Sequence, residues 1–462
     1  MPLVTEPARQ LEVIAEVDVC VIGGGPGGLP AAVAAARAGA RTMLVERYGF
    51  LGGMATAGLI GPILSHRAHE STQPILGGIP QEICRRLHEC GGAPPWEEAL
   101  QQWGVPFDPE VLKLVADEIV CEAGPDLLLH TWFAGTLVED GRIAAAVVES
   151  KSGRQAIRAK MFVDATGDAD VAFRAGAPTR QGRDADGAVE SMGSMFRVGG
   201  IRTPNAEEAQ AAAAALQAAI ESGELCMYNP GIGGRSSTLR LSEVTPNVTR
   251  FAGDPTSARD LTTGELRLRR DTRRIVDFYR KHVPGYEECF LSVTPAQIGI
   301  RESRQIVGSY ALTAADILTG RIHEDAIALG SWWIDIHCPL GRVQHHTHVC
   351  RADCPSPDPC PMLEQHRDRL LANLYPPAGG AYGIPYRSLV AQRVSNLLVS
   401  GRCISATHEG MGGARVMGTC MAIGQAAGTA AAIAAEKGLP AAEVNVATLQ
   451  AALRADGAVL SL

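Results

Sequence analysis

Val19-Cys20-Val21-Ile22 is an apolar run that breaks directly into Gly23-Gly24-Gly25-Pro26-Gly27-Gly28. An uninterrupted apolar run of this length reads as a strand buried on both faces, as in a parallel sheet. Gly28 to Gly39 is rich in alanine without strand-like alternation and reads as a helix. Between them, Gly23, Gly25 and Gly28 have GxGxxG spacing. The first glycine allows a tight turn, the second lets backbone approach a pyrophosphate, and the third lets helix and strand pack closely, with the helix N-terminus turned to the phosphates. Thr42 to Val45 supplies a second strand ending at Glu46, about twenty residues beyond the fingerprint, where a carboxylate accepts hydrogen bonds from a ribose. These elements in this order constrain the chain to a Rossmann-like dinucleotide site.

The rest of the chain is read around that site. Gly77-Gly78-Ile79-Pro80 precedes a helix over Gln81 to Glu89, and Phe107 to Ala123 is a second helix with Pro109 in its first turn. Leu127 to Phe133 reads as a strand, Asp140-Gly141 as a hairpin turn, and Ile157 to Val163 as a strand running into Asp164-Ala165-Thr166-Gly167-Asp168. From about Gly187 the rhythm changes to longer helices and irregular loops. Ala206 to Ser222 is helical on propensity, and Thr262-Thr263-Gly264-Glu265 has capping-box spacing before an Arg-rich amphipathic helix over Leu266 to Val283. The strand-glycine-helix pattern returns at Leu397 to Ser400, Gly401 and the uncharged stretch Val416 to Ala435. That stretch is about long enough to span a bilayer, but its Ala, Gly, Thr and Gln content gives a weak apolar drive, so it reads as a buried helix. The expected fold is α/β: a Rossmann-like cofactor domain with a β-meander, into which an α+β substrate or cap domain is inserted. The boundaries are 1–186 and 381–462 for the first and 187–380 for the insertion.

At 462 residues the chain exceeds one ordinary core, consistent with two domains. A net charge of -8 argues against a nucleic-acid partner, which wants a concentrated basic face. The first residues lack a secretory pattern, so the expected location is cytoplasmic, and the 12 scattered cysteines are then expected to be thiols.

The glycine turn, Glu46-Arg47-Tyr48-Gly49-Phe50-Leu51-Gly52-Gly53, Ala165-Thr166-Gly167-Asp168, Arg301-Glu302-Ser303-Arg304, Tyr382 to Leu389, and Ser400-Gly401-Arg402 through Gly424-Gln425-Ala426-Ala427-Gly428 together resemble the FAD-dependent oxidoreductases of the glutathione-reductase-like superfamily. The resemblance runs over nearly the whole chain. It implies FAD as cofactor, held at Gly23, Gly25, Pro26, Gly28, Gly53, Met54, Gly167, Asp168 and Gly401. By the same resemblance Glu46 holds the adenosine ribose, Arg47 lies along the adenosine or phosphates, and backbone near Phe133 meets the adenine. Arg415, Val416 and Met417 open a helix toward the flavin's N1/O2 edge, where a helix N-terminus favours the negative charge of reduced flavin. No histidine lies between Gly52 and Gly58, the stretch in which covalently flavinylated relatives often carry one, so FAD is expected to be noncovalent; His66 and His69 lie just beyond.

The implied function is transfer of a hydride from a small organic substrate to FAD, as a dehydrogenase or oxidase with a separate electron acceptor. The alternatives are a flavin monooxygenase fed by NAD(P)H or a separate reductase, and a flavoprotein acting on RNA. No second GxGxxG follows a strand, which argues against an internal NAD(P)H domain. Arg301 and Arg387 suit a carboxylate or other polar substrate group because a guanidinium offers fixed bidentate donors, and a structural ion pair is as good a reading of either alone. His337 and His408 are candidate bases, set against the commoner role of a buried, satisfied histidine. His345, His346, His348, Cys350, Cys354 and Cys360 crowd one Pro-rich segment, but their spacing fits neither paired zinc ligands nor a ferredoxin run, so no metal is assigned. The sequence leaves the oligomeric state open.

Overall fold

The computed structural model describes residues 3–184, 186–339 and 374–462. The His345 to Cys360 segment lies outside the described residues. The main sheet starts with β1 (Val13–Ile22), which leads through the Gly28–Arg37 helix to β2 (Thr42–Val45). These strands pair in parallel, Val19 opposite Thr42 and Ile22 opposite Val45. Next come β3 (Asp126–Leu128), β4 (Trp132–Glu139), β5 (Arg142–Ser150) and β6 (Gly153–Asp164). β3 joins the outer edge of β2, β6 joins the other side of β1, and the Leu397–Val399 strand pairs with the end of β6, all in parallel. The first half of β6 pairs antiparallel with β5, and β5 with β4, making the expected meander. Its β4 to β5 turn is Asp140-Gly141, both with positive φ (47° and 71°), the backbone a two-residue hairpin needs.

In this register Ile22, Val45, Asp164 and Val399 end side by side. Their successors, from Gly23, Glu46, Ala165 and Ser400, rim one crevice at the carboxyl edge of the sheet, the usual ligand position of an open α/β sheet. The Met417–Lys437 helix lies against the Gly28–Arg37 helix. A methyl group on Gly424 would fall 2.2 Å from the Gly27 carbonyl oxygen, and one on Gly428 2.0 Å from that of Ala31. Among the described residues this is the one helix long and apolar enough to cross a membrane, and 89% of its most apolar window is buried inside the fold.

A second apolar core, from Phe196 to Cys289, packs the Ala206–Glu221 and Ala258–His282 helices against a three-stranded antiparallel sheet. Leu312, Ile317, Ile327, Trp332 and Ile336, later in the chain, return to the first core.

Two local expectations are corrected. Leu127 to Phe133 is not one strand: His130 has φ 52°, and there the chain leaves β3 to donate backbone hydrogen bonds from His130 to the Tyr48 carbonyl and from Thr131 to that of Glu46. The Arg-rich helix begins at Ala258, capped by Ser257, whose hydroxyl accepts from Asp260 N–H. Thr262 and Thr263 therefore sit inside it, their hydroxyls donating to the carbonyls of Ala258 and Arg259 (2.7 and 2.9 Å), so Thr262 to Glu265 is no capping box.

Candidate functional site

The turn after β1 is held by its own geometry. Gly23 has φ 102°, and a methyl group on Gly28 would stand 1.7 Å from the Gly23 carbonyl oxygen, so the turn and the helix behind it accept no side chain at either place. Glu46 closes the turn from β2, one carboxylate oxygen accepting from Gly24 N–H (2.7 Å) and the other from Tyr48 N–H (2.9 Å). It is buried, and desolvation raises its pKa. Asp164, at the end of β6, accepts from the Thr166 hydroxyl (2.7 Å) and amide (3.1 Å) and from Ala172 N–H (2.9 Å), which folds Ala165 to Asp168 into a second turn facing the first. Across that turn Asp168 accepts from the Ser303 hydroxyl (2.7 Å) and from Arg402 (3.1 Å).

These turns open onto one cavity of ≈ 330 Å³. Gly23, Gly25, Pro26, Glu46, Arg47, Gly53, Met54, Gly167, Asp168, Gly401, Arg415, Val416 and Met417 line it, together with Arg301 and His337. Phe133 lines a smaller void of ≈ 50 Å³ that shares Gly23, Glu46 and Arg47 with the cavity. Gly28 lines neither, being spent on helix packing. Arg47 donates to Tyr48 and Gln297 and lies over the Tyr48 and Trp132 rings. Val416 caps the Met417–Lys437 helix with no side-chain hydrogen bond, which leaves the N–H groups of that first turn without a cap from Val416.

Two candidates do not reach the cavity. Arg387 is about half exposed, lies over the Tyr310 ring, donates to His323 Nδ1 (3.1 Å) and has Asp325 at 3.7 Å. His408 is buried with its Nδ1 2.7 Å from a Glu302 carboxylate oxygen. His66 likewise is absent from the cavity wall, its Nε2 bonded to the Ala99 carbonyl (2.8 Å).

The far wall of the cavity is a buried charged network that sequence reading missed in large part. Glu190, fully buried, takes a two-pronged hydrogen bond from Arg415 (2.9 and 3.0 Å) and a backbone one from His337 (2.9 Å). Arg415 also donates to the Asp335 carbonyl (2.6 Å), so it braces the wall. His337 Nδ1 lies 2.8 Å from an Arg250 nitrogen, which can only donate, and its Nε2 lies 3.5 Å from Asp335. A guanidinium nitrogen can only donate, so His337 Nδ1 is the acceptor of this contact. Asn247 Oδ1 accepts from both Arg250 (3.0 Å) and Arg301 (3.2 Å). Glu190, Asn247 and Arg250 meet Asp335 and His337 from distant parts of the chain, which no spacing rule detects. The one local signal was a lone carboxylate in the apolar run Ala188-Val189-Glu190-Ser191-Met192.

The family model described as "FAD dependent oxidoreductase" matches residues 18–453. A digeranylgeranylglycerophospholipid reductase of Thermoplasma volcanium is 29% identical over 157 residues, covering 32% of this chain and 39% of that protein. Digeranylgeranylglycerophospholipid reductase 2 of Methanopyrus kandleri is 30% identical over 166 residues, 33% and 38% of the two chains. The chain thus spans less than two fifths of the length of the curated relatives it matches. Among solved structures, a geranylgeranyl bacteriochlorophyll reductase-like protein of Thermoplasma acidophilum aligns over 96% of this chain and 83% of its own with 12% identity and a TM-score of 0.39. A flavin-dependent brominase aligns over 96% and 83% with 10% identity and a TM-score of 0.43.

Proposed function

The chain belongs to the FAD-dependent oxidoreductase family, a family of enzymes with FAD as cofactor, and from that premise we propose that it oxidises a small organic molecule held between the FAD domain and the inserted region. The observation that carries this reading is the single cavity running from the Gly25 turn to Arg301 and His337. A side chain on Gly25 would meet only the Gly53 backbone, at 3.5 Å, so the free space at this glycine belongs to the cavity, as a pyrophosphate lying on the turn requires. Gly25 and Gly53 would flank the pyrophosphate, Glu46 would hold the ribose, and the void at Phe133 would take the adenine. The helix start at Val416 and Met417 would meet the flavin's N1/O2 edge. When bound, FAD supplies the hydride acceptor. The chain's own residues cover the site: Tyr228, Trp332 and Trp333, all from the inserted region, line the cavity. Placement in the glutathione-reductase-like superfamily, a cap role for the Phe196 to Cys289 core and noncovalent attachment of FAD belong to the same proposal. A dehydrogenase or oxidase that passes its electrons to a separate acceptor is the favoured form.

The test is an anaerobic panel of organic acids, alcohols and amines read by loss of the flavin's visible absorbance. Bleaching by a member of the panel supports the reading, and bleaching by NADPH alone redirects it to a monooxygenase.

A further inference from the structure

Arg301 is buried and lines the cavity, yet no carboxylate stands within ion-pair distance of it among the described residues. Its two terminal nitrogens donate to neutral acceptors, the Ser191 carbonyl (2.8 Å) and Asn247 Oδ1 (3.2 Å). Behind it Arg250 is in the same condition, donating to Asn247, to the Thr249 carbonyl (2.6 Å) and to His337, and lying 3.8 Å from the Tyr228 ring centroid. A buried charge left without a counter-ion is expensive, and proteins otherwise avoid it. Burial and the nearby guanidiniums of Arg250 and Arg415 push the Arg301 pKa well below the usual arginine value, and the more distant carboxylates of Glu190 and Asp335 offset this only in part.

Of the other guanidiniums on the cavity wall, Arg415 is paired with Glu190 and Asp335 and Arg402 with Asp168. Arg47, like Arg301, donates to neutral acceptors, Gln297 and Tyr48, but it lies at the cofactor end beside Glu46. At the substrate end Arg301 is therefore the cavity-lining guanidinium with no directly paired carboxylate among the described residues. The walls beside it are apolar and aromatic, from Ile300, Met195, Tyr228 and the two tryptophans. Asn247 also lines the cavity, and with its oxygen shared between two arginines its amide N–H groups are its remaining donors.

We infer that the cavity is built for a monocarboxylate on an apolar or aromatic body, seated by its carboxylate on Arg301 and Asn247. This names the substrate class of the oxidoreductase proposed above and rests on that reading. A planar guanidinium matches a carboxylate through paired charge-assisted hydrogen bonds, which are far stronger than those to a neutral amide.

The probe pair is benzoate and benzamide, titrated into the FAD-loaded protein and read both by perturbation of the flavin's visible spectrum and by calorimetry. Benzoate is expected to bind at least tenfold more tightly than benzamide, and the dianion phthalate no more tightly than benzoate. Asn247→Asp keeps the shape but gives Arg250 and Arg301 an internal counter-ion and removes the amide donors, so it should weaken benzoate at least tenfold more than it weakens benzamide and leave FAD content as in the parent. Arg301→Met should act in the same direction, and Asn247→Asp covers the case in which that variant does not fold. Equal affinity for benzoate and benzamide, tighter phthalate binding, or undiminished benzoate binding by Asn247→Asp overturns the inference while leaving the flavin reading intact. A protein that takes up no FAD overturns both.

Discussion

Gly25 and Gly28 sit three residues apart in one turn yet are glycines for opposite reasons. At Gly28 the obstacle is the protein's own backbone, so Gly28→Ala is a folding defect; at Gly25 the protein leaves room and the claim on that room is the cofactor's. Gly25→Val is therefore expected to fold and to lose most bound FAD, which the ratio of visible to ultraviolet absorbance of the purified protein checks. Full flavin content in that variant contradicts the site. His66 makes a separate prediction about acid. It is buried against the Ala99 carbonyl, and desolvation brings its pKa down to about 4. An unfolded histidine titrates near about 6.5, so as pH falls from there toward 4 the unfolded chain binds the proton first and stability is lost, present above and gone below. At about 1.4 kcal/mol per pKa unit the loss approaches about 3 kcal/mol. Urea unfolding at pH 7 and pH 4.5 should show a smaller difference between the two pH values in His66→Gln than in the parent. A difference as large as the parent's would place the acid sensitivity elsewhere.

Among the elements, the most exacting contact is the crossing of the Gly28–Arg37 and Met417–Lys437 helices, where Gly424 and Gly428 let the second helix touch carbonyls of the first turns of the other. Gly428→Leu forces the helices apart and should cost about 3 kcal/mol in urea unfolding, the upper range for overpacking. Glu436→Ala on the exposed end of the same helix should stay within about 0.5 kcal/mol. Elements with a strong local signature were legible in the sequence. The strand at Val19 to Ile22, the strand at Thr42 to Val45, the Asp140-Gly141 hairpin and the buried C-terminal helix all appear. What was not legible had two causes: the break at His130 answers to a distant contact with the loop after β2, while the start of the Arg-rich helix was a choice among nearby caps, Ser257 rather than threonines of equal local merit. The site divides in the same way. Its glycine turns follow from spacing, whereas the wall of Glu190, Asn247, Arg250 and Asp335 exists only once the chain has folded, and Arg387, chosen on residue type, points to His323 instead.

For the whole molecule, the absence of a second dinucleotide fingerprint predicts that NADH and NADPH alone reduce the flavin slowly. Stopped-flow mixing under anaerobic conditions checks this, and rapid stoichiometric bleaching by either would mark the protein as an NAD(P)H-fed flavoprotein such as the monooxygenase alternative. The cofactor crevice also has a consequence for the order in which the molecule can be made. Its rim needs Gly23 and Glu46 from early in the chain and Gly401 and Met417 from late in it, and the sheet is short of a strand until Leu397–Val399 pairs with β6. On a ribosome the first half of the crevice must wait, incompletely covered, while the intervening chain with its own apolar core emerges. Closure joins Gly27 to Gly424 across most of the sequence, a contact with a high loop-closure cost that comes late. Loading with FAD is then among the last events of biosynthesis, and a nascent chain released before Met417 carries the glycine fingerprint without the pocket that gives it meaning.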